Sequence, residues 1–211
     1  MPLLLTQTIE DVRCAVWRVT EPCDVLAGIT GADDAAHATA GLSSPKRVTE
    51  RLAARALLHM AFPGDYDRIV YDGHGRPMLA HGRAQVSISH TDGYVAVALS
   101  DRRIGVDIEL RTGKALRLGG RFMDDGELAR VLAADDPETA ATAVWSAKET
   151  VYKAVGRAAT DFRAAVHVGF STSGLSFPGF VTVSGTSLAR PCRVYVAADD
   201  RFVLTLGLFA V

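Results

Sequence analysis

The 211-residue chain is poor in cysteine and has no surplus of either charge. Its three cysteines, Cys14, Cys23 and Cys192, are widely spaced and form no Cys-x-x-Cys pair, which excludes a zinc-ligand set and an even-numbered disulfide framework. Lysine and arginine total 23 against 24 aspartates and glutamates, a net charge of −1, so bulk nucleic-acid binding is excluded and only local patches remain. No apolar run approaches the roughly 20 residues that cross a bilayer. The opening stretch 1–5 is apolar but short, lacks a basic start and soon meets Glu10 and Asp11, unlike a signal peptide. The expectation is a cytoplasmic protein with reduced thiols and no membrane or nucleic-acid partner. Its length suits one domain or two small ones.

Two acids stand out against this even background. The run Gly105-Val106-Asp107-Ile108-Glu109 is β-prone. In a strand alternate side chains share a face, so Asp107 and Glu109 project together while Val106 and Ile108 pack on the other side. Such carboxylates repel unless a proton or a cation lies between them, and hard oxygen donors favour Mg²⁺, Mn²⁺ or Ca²⁺. Mg²⁺ takes few protein carboxylates and completes its shell with water and phosphate, which suits a site with few acids.

Downstream, Trp145-Ser146-Ala147-Lys148-Glu149-Thr150-Val151-Tyr152-Lys153 belongs to a helix predicted over 136–156. Asp136 is a good N-cap, Pro137 suits the first helical position, Glu138 favours the positive end of the dipole, and Gly156 is placed to stop the helix. Glu149 and Lys153, at i and i+4, then share a face, as do Trp145 and Glu149, while Val144, Ala147, Val151, Ala154 and Val155 form an apolar stripe. Lys148 leaves the helix about 100° around from Glu149 and is expected to reach the flank of the same site. Taken singly, each piece reads equally as ordinary structure: solvated edge-strand acids, a surface pair worth a few tenths of a kcal/mol, packing for Trp145 and Tyr152. Their conjunction predicts a divalent-metal and phosphate site for group transfer.

In that order and separation, Gly-Val-Asp-Ile-Glu and Trp-Ser-x-Lys-Glu-x-x-x-Lys resemble the signature of the Sfp-type 4'-phosphopantetheinyl transferases. These enzymes move the phosphopantetheine arm of coenzyme A onto a serine of a carrier protein. Gly75-Arg76-Pro77 and Ser87-Ile88-Ser89-His90-Thr91 also match in order, so the resemblance spans roughly residues 40 to 160. Gly73, Gly75 and Pro77 mark a turn in their own right, and a lone loop histidine such as His90 is as ordinary as a ligand.

The resemblance implies Asp107, Glu109 and Glu149 as ligands that bring Mg²⁺, with Mn²⁺ as the alternative, to the coenzyme A pyrophosphate. It implies Arg76, Ser89 and His90 at coenzyme phosphates, and Lys148 and Lys153 at the pyrophosphate. Glu149, or Glu109 through a water, is then the base for the carrier serine, and Lys153 with Lys148 stabilises the departing 3',5'-ADP. The sequence departs from the family twice. Basic residues that hold the 3'-phosphate are replaced over 33–40 by Ala35, Ala36, His37 and Ala38, with Lys46, Arg47 and Arg51 as substitutes. After Lys153 the family's Gly-x-Gly-Leu gives way to Gly156-Arg157-Ala158-Ala159.

The implied fold is α+β, two similar α/β halves over 1–103 and 104–211 in a pseudo-twofold arrangement, with the active site at their interface. Period-two and period-3.6 patterns populate it. Strands are expected at 13–19, near Ile69, Met78 and Val86, and at 94–99, 105–110, 165–170, 180–183, 192–196 and 202–209. A helix opens at Ser44-Pro45, turns Val48, Leu52, Ala56, Leu57 and Met60 inward and closes at Phe62-Pro63-Gly64; another begins at Asp124, whose pairing with Glu127 makes a capping box. An echo between 92–99 and 200–207 supports a duplicated plan.

The implied partners are apo acyl or peptidyl carrier proteins of fatty-acid, polyketide or nonribosomal-peptide synthesis, served by a monomer. Arg111, Lys114, Arg117 and Arg121 lie in a glycine-rich stretch without acids, expected to be a mobile basic loop that docks the acidic carrier with Phe122 and Met123 as apolar anchors; a solvated loop fits the composition equally. Two rival functions remain at this level: a catalytically silent relative that holds coenzyme A or a carrier, and a Mg²⁺-dependent nucleotide phosphohydrolase.

Overall fold

The structure, a computed structural model, describes residues 3–64, 67–82, 84–155, 161–170, 177–186 and 188–209. Its mixture of helices and antiparallel strands is that of an α+β protein. The chain divides into two units, Met1–Asp101 and Arg102–Val211.

The first unit contains β1 (Leu3–Ile9), β2 (Val12–Arg18), α1 (Cys23–Thr30), α2 (Ala32–Thr39), α3 (Pro45–Ala61), β3 (Ile69–Tyr71), β4 (Pro77–Leu79), β5 (Gln85–Thr91) and β6 (Tyr94–Ser100). Four strands form an antiparallel sheet in the order β1-β2-β6-β5, and β3 and β4 pair as a separate hairpin. Tight turns set the registers: Glu10 at φ 54 joins β1 to β2, and Gly93 at φ 74 joins β5 to β6. Pro45 occupies the first turn of α3, and Leu52, Ala56 and Leu57 are buried with Trp17, Val95 and Val97 of the sheet. Val48 and Met60 are only partly buried at the edge of that core.

Two helices and one strand here were not foreseen. The segment 23–39 forms α1 and α2, each eight residues long, a length at which helices are marginal on their own and depend on packing. Leu26 of α1 and Ala35 and Ala38 of α2 are buried with α3. Asp34 of α2 accepts from the buried Arg55 guanidinium at 3.4 Å, and Arg55 also donates to the Ile69 carbonyl at 2.8 Å.

The second unit contains β7 (Ile104–Leu110), α4 (Lys114–Arg117), a 3₁₀ turn (Gly119–Arg121), α5 (Asp125–Leu132), α6 (Pro137–Val155), α7 (Phe162–Ala165), β8 (Val166–Gly169), β9 (Gly179–Gly185), β10 (Cys192–Ala198) and β11 (Phe202–Leu208). Its five strands lie antiparallel in the order β7-β11-β10-β9-β8. The predicted capping box is complete: Glu127 N–H donates to Asp124 Oδ1 at 2.8 Å, and Asp124 N–H donates to Glu127 Oε2 at 2.9 Å. Asp136 caps α6, accepting from the Thr139 amide at 3.0 Å and the Thr139 hydroxyl at 2.7 Å. Gly156, expected to end this helix, lies outside the described residues, as does the 156–159 loop.

The small residues of α6 decide how the site is built. Ala140, Ala143, Ala147 and Ala154 are buried with Val144 and Val151 against the sheet. Where the helix passes β7, Gly105 leaves room for the Thr150 carbonyl, which a Cβ there would strike. Close approach of α6 to β7 and β11 is what carries helix side chains onto the acids of β7. Among the described residues no helix is long and apolar enough to cross a membrane.

Candidate active site

Strand alternation puts Gly105, Asp107 and Glu109 on the face of β7 that meets α6, with Val106 and Ile108 buried on the other. Asp107 is 3% exposed and gripped from two sides. Lys153 Nζ donates to its Oδ1 at 2.7 Å, and Ser146 Oγ donates to its Oδ2 at 2.8 Å. Trp145 Nε1 donates to Glu109 Oε1 at 2.9 Å. Trp145, Ser146 and Lys153 of one helix thus serve two acids of one strand.

Glu149 completes the group electrostatically. Burial, reinforced by the charges of Asp107 and Glu109 and opposed by Lys153, pushes its carboxyl up from 4.5 to about 7. Glu109 is also raised, by burial and by Asp107, against the Trp145 hydrogen bond and the Lys153 and Lys114 charges. Asp107, Glu109 and Glu149 therefore share one field in which carboxylates outnumber the close ammonium of Lys153. Hard oxygen donors that repel one another in this way fit a divalent cation of the Mg²⁺ class. Among the described residues they are not drawn together into a formed metal cage, and Lys153 balances Asp107 instead.

Lys148 stands elsewhere. It is 0% exposed, and its three donors go to the Phe122 carbonyl at 2.7 Å, Glu127 Oε2 at 2.7 Å and the Phe162 carbonyl at 2.8 Å. Burial pushes its pKa down and the Glu127 hydrogen bond resists that shift. Glu127 in turn accepts from the Val168 amide at 2.6 Å, so the pair joins α5, α6, α7 and β8. The expected reach of Lys148 to the flank of the acids is corrected: the step of about 100° around α6 turns it away from β7 and into the unit's interior. Phe122 and Phe162, whose carbonyls it binds, set their rings edge-on to Trp145 at centroid distances of 5.0 and 5.6 Å.

The basic stretch after β7 is likewise not a long loop, since α4 and the 3₁₀ turn fold most of it. Lys114, Arg117 and Arg121 are exposed. Arg111 is tied down, donating to Asp136 Oδ2 at 2.7 Å and the Asp199 carbonyl at 2.9 Å. Phe122 and Met123, at 5% and 0% exposed, belong to the hydrophobic core and are unavailable as surface anchors.

In the first unit the candidates are distributed. Arg47 is exposed, and Arg51 lies over the Tyr71 ring at 4.0 Å. Arg76 follows a turn in which Asp72 accepts the His74 and Arg76 amides at 2.8 and 2.9 Å, and its guanidinium donates to Gln85 at 3.3 Å. Exposed His90 has Nδ1 3.3 Å from Glu50 of α3, whereas Ser89 is buried and leaves β5 on the opposite face.

Sequence reasoning gave Ser146, Thr150 and Thr205 no role of their own and read Glu127 only as half of a capping box. The i, i+4 spacing of Ser146 and Thr150 was a readable signal, but Thr205 enters only through β11 pairing, opposite Asp107.

The 4'-phosphopantetheinyl transferase superfamily model matches residues 103–195. This match begins just before β7 and covers every acid and lysine of the group, all within the second unit. It supports phosphopantetheinyl transfer to carrier proteins as the general reaction class. No curated protein matches the chain.

Proposed function

We propose that this chain is an Sfp-type 4'-phosphopantetheinyl transferase that moves the phosphopantetheine group of coenzyme A, with Mg²⁺, to a serine of an apo acyl or peptidyl carrier protein. The observation that carries this reading is the electrostatic field shared by Asp107, Glu109, Glu149 and Lys153 in the segment matched by the superfamily model. Asp107, Glu109 and Glu149 would hold the metal. Mg²⁺, when bound, supplies neutralisation of phosphate charge.

The chain's own groups do the rest. Glu149, or Glu109 through a water, takes the proton of the carrier serine as general base. The serine oxygen bonds to the β-phosphorus of coenzyme A as the bond from that phosphorus to the oxygen of the departing 3',5'-ADP breaks. Lys153 donates a hydrogen bond or its proton to the departing oxygen, a preorganised charge of the kind that lowers such barriers. Arg47, Arg51, Arg76, Ser89 and His90 are assigned to coenzyme phosphates. Exposed Lys114, Arg117 and Arg121 are assigned to the acidic carrier surface.

The test is intact-mass spectrometry of a panel of apo carriers incubated with the protein, coenzyme A and Mg²⁺, with a chelator control. A metal-dependent gain of one phosphopantetheine is the expected result. Glu149→Gln is expected to lower the rate by about 10²–10⁴, the usual share of a general base. Coenzyme binding without transfer to any carrier would replace the proposal with a silent binding protein, and release of nucleotide without a carrier would replace it with a phosphohydrolase.

A further inference from the structure

Asp107 stands at the end of a buried line of hydroxyls. Ser146 Oγ lies 2.8 Å from Asp107 Oδ2 and 2.8 Å from Thr205 Oγ1, and Thr205 Oγ1 lies 2.6 Å from Thr150 Oγ1. All three hydroxyl residues are fully buried. A carboxylate only accepts, and each hydroxyl has one hydrogen, so the direction is fixed. Ser146 donates to Asp107, Thr205 donates to Ser146, and Thr150 donates to Thr205. The line crosses from helix to sheet and back, because Thr205 stands on β11 directly opposite Asp107 on β7.

We infer that this hydroxyl line is a positioning device for the metal-binding face of Asp107, and that Thr205 is a positioning residue lying outside both acid-bearing motifs. With Oδ1 held by Lys153 and Oδ2 by Ser146, the carboxylate plane of Asp107 has one orientation. Aligned hydroxyls polarise one another, so the far members stiffen the near one. Partners of this kind behind a metal ligand typically set about 10- to 100-fold in metal affinity. The inference rests on the reading of Asp107 as a metal ligand.

The test is Mn²⁺ affinity of the full chain by electron paramagnetic resonance, with and without coenzyme A, alongside the melting temperature of each variant. Thr205→Val keeps the shape and removes the hydroxyl; Thr205→Ser keeps the hydroxyl and removes a methyl. Expected are an affinity about tenfold weaker for Thr205→Val and Ser146→Ala, a smaller loss for Thr150→Val, and wild-type affinity for Thr205→Ser. A purely structural role predicts losses that follow melting temperature instead of position along the line. Wild-type affinity in Thr205→Val and Ser146→Ala overturns the inference and leaves the metal assignment standing, as does Thr205→Ser binding as weakly as Thr205→Val. Asp107→Ala with wild-type Mn²⁺ affinity removes the metal assignment itself, and the positioning role falls with it. Ser146→Ala, the smaller change, decides the matter from the helix side should Thr205→Val not fold.

Discussion

Neighbouring charges on α6 do opposite work. Glu149 faces the acids of β7, and its carboxyl is raised in the fold from 4.5 to about 7, chiefly by burial and then by Asp107. Below 4.5 it is protonated both folded and unfolded, and between 4.5 and about 7 the folded chain alone retains that proton. Stability of the metal-free protein therefore falls as pH rises through this window. Melting temperatures across it should decline less steeply in Glu149→Gln than in wild type, and equal slopes would contradict the assigned shift. Lys148, one residue earlier, is an interior cation whose carboxylate partner is 1% exposed. Replacing it with methionine strands the Glu127 charge, for which the expected cost is about 3–5 kcal/mol in urea unfolding. Lys153→Met, at a side chain 25% exposed, should cost less stability and more transfer activity. Reversal of that order would return Lys148 to phosphate binding.

At the scale of elements, the best-read parts are those with local punctuation. The Asp124 capping box, the Asp136 cap with Pro137, and the alternation of β7 are short-range signals, and each formed. The poorly read parts depend on distant partners. Helices α1 and α2 acquire their support from α3, and α4 follows Gly113, which has φ 63, a conformation that composition alone read as looseness. The acids of the site were legible because strand period and helix period each place residues locally. Thr205 and the pairing of Glu127 with Lys148 were not, since they arise from β11 pairing and α5 packing that no single segment encodes. The contact of α6 with β7 makes Gly105→Ala a direct probe. Its Cβ would strike the Thr150 carbonyl, and the expected loss is about 1–3 kcal/mol by denaturation, with Mn²⁺ binding weakened because the helix is pushed from the acids. An unchanged unfolding midpoint would mean the helix can shift freely.

For the molecule as a whole, each unit has its own apolar core, and within the second unit Lys153 pairs with Asp107. A chelator should thus leave the far-ultraviolet circular dichroism native while transfer stops. Saturating Mg²⁺ with coenzyme A should raise the melting temperature, by an amount equivalent to about 2.7 kcal/mol at a hundredfold excess over Kd. Unfolding on chelation would show the metal to be structural. The pairing of Lys153 with Asp107 bears on how a cation would load: it would have to take Asp107 Oδ1 from an ammonium already in place, an exchange of one positive charge for another and not the filling of a bare oxygen.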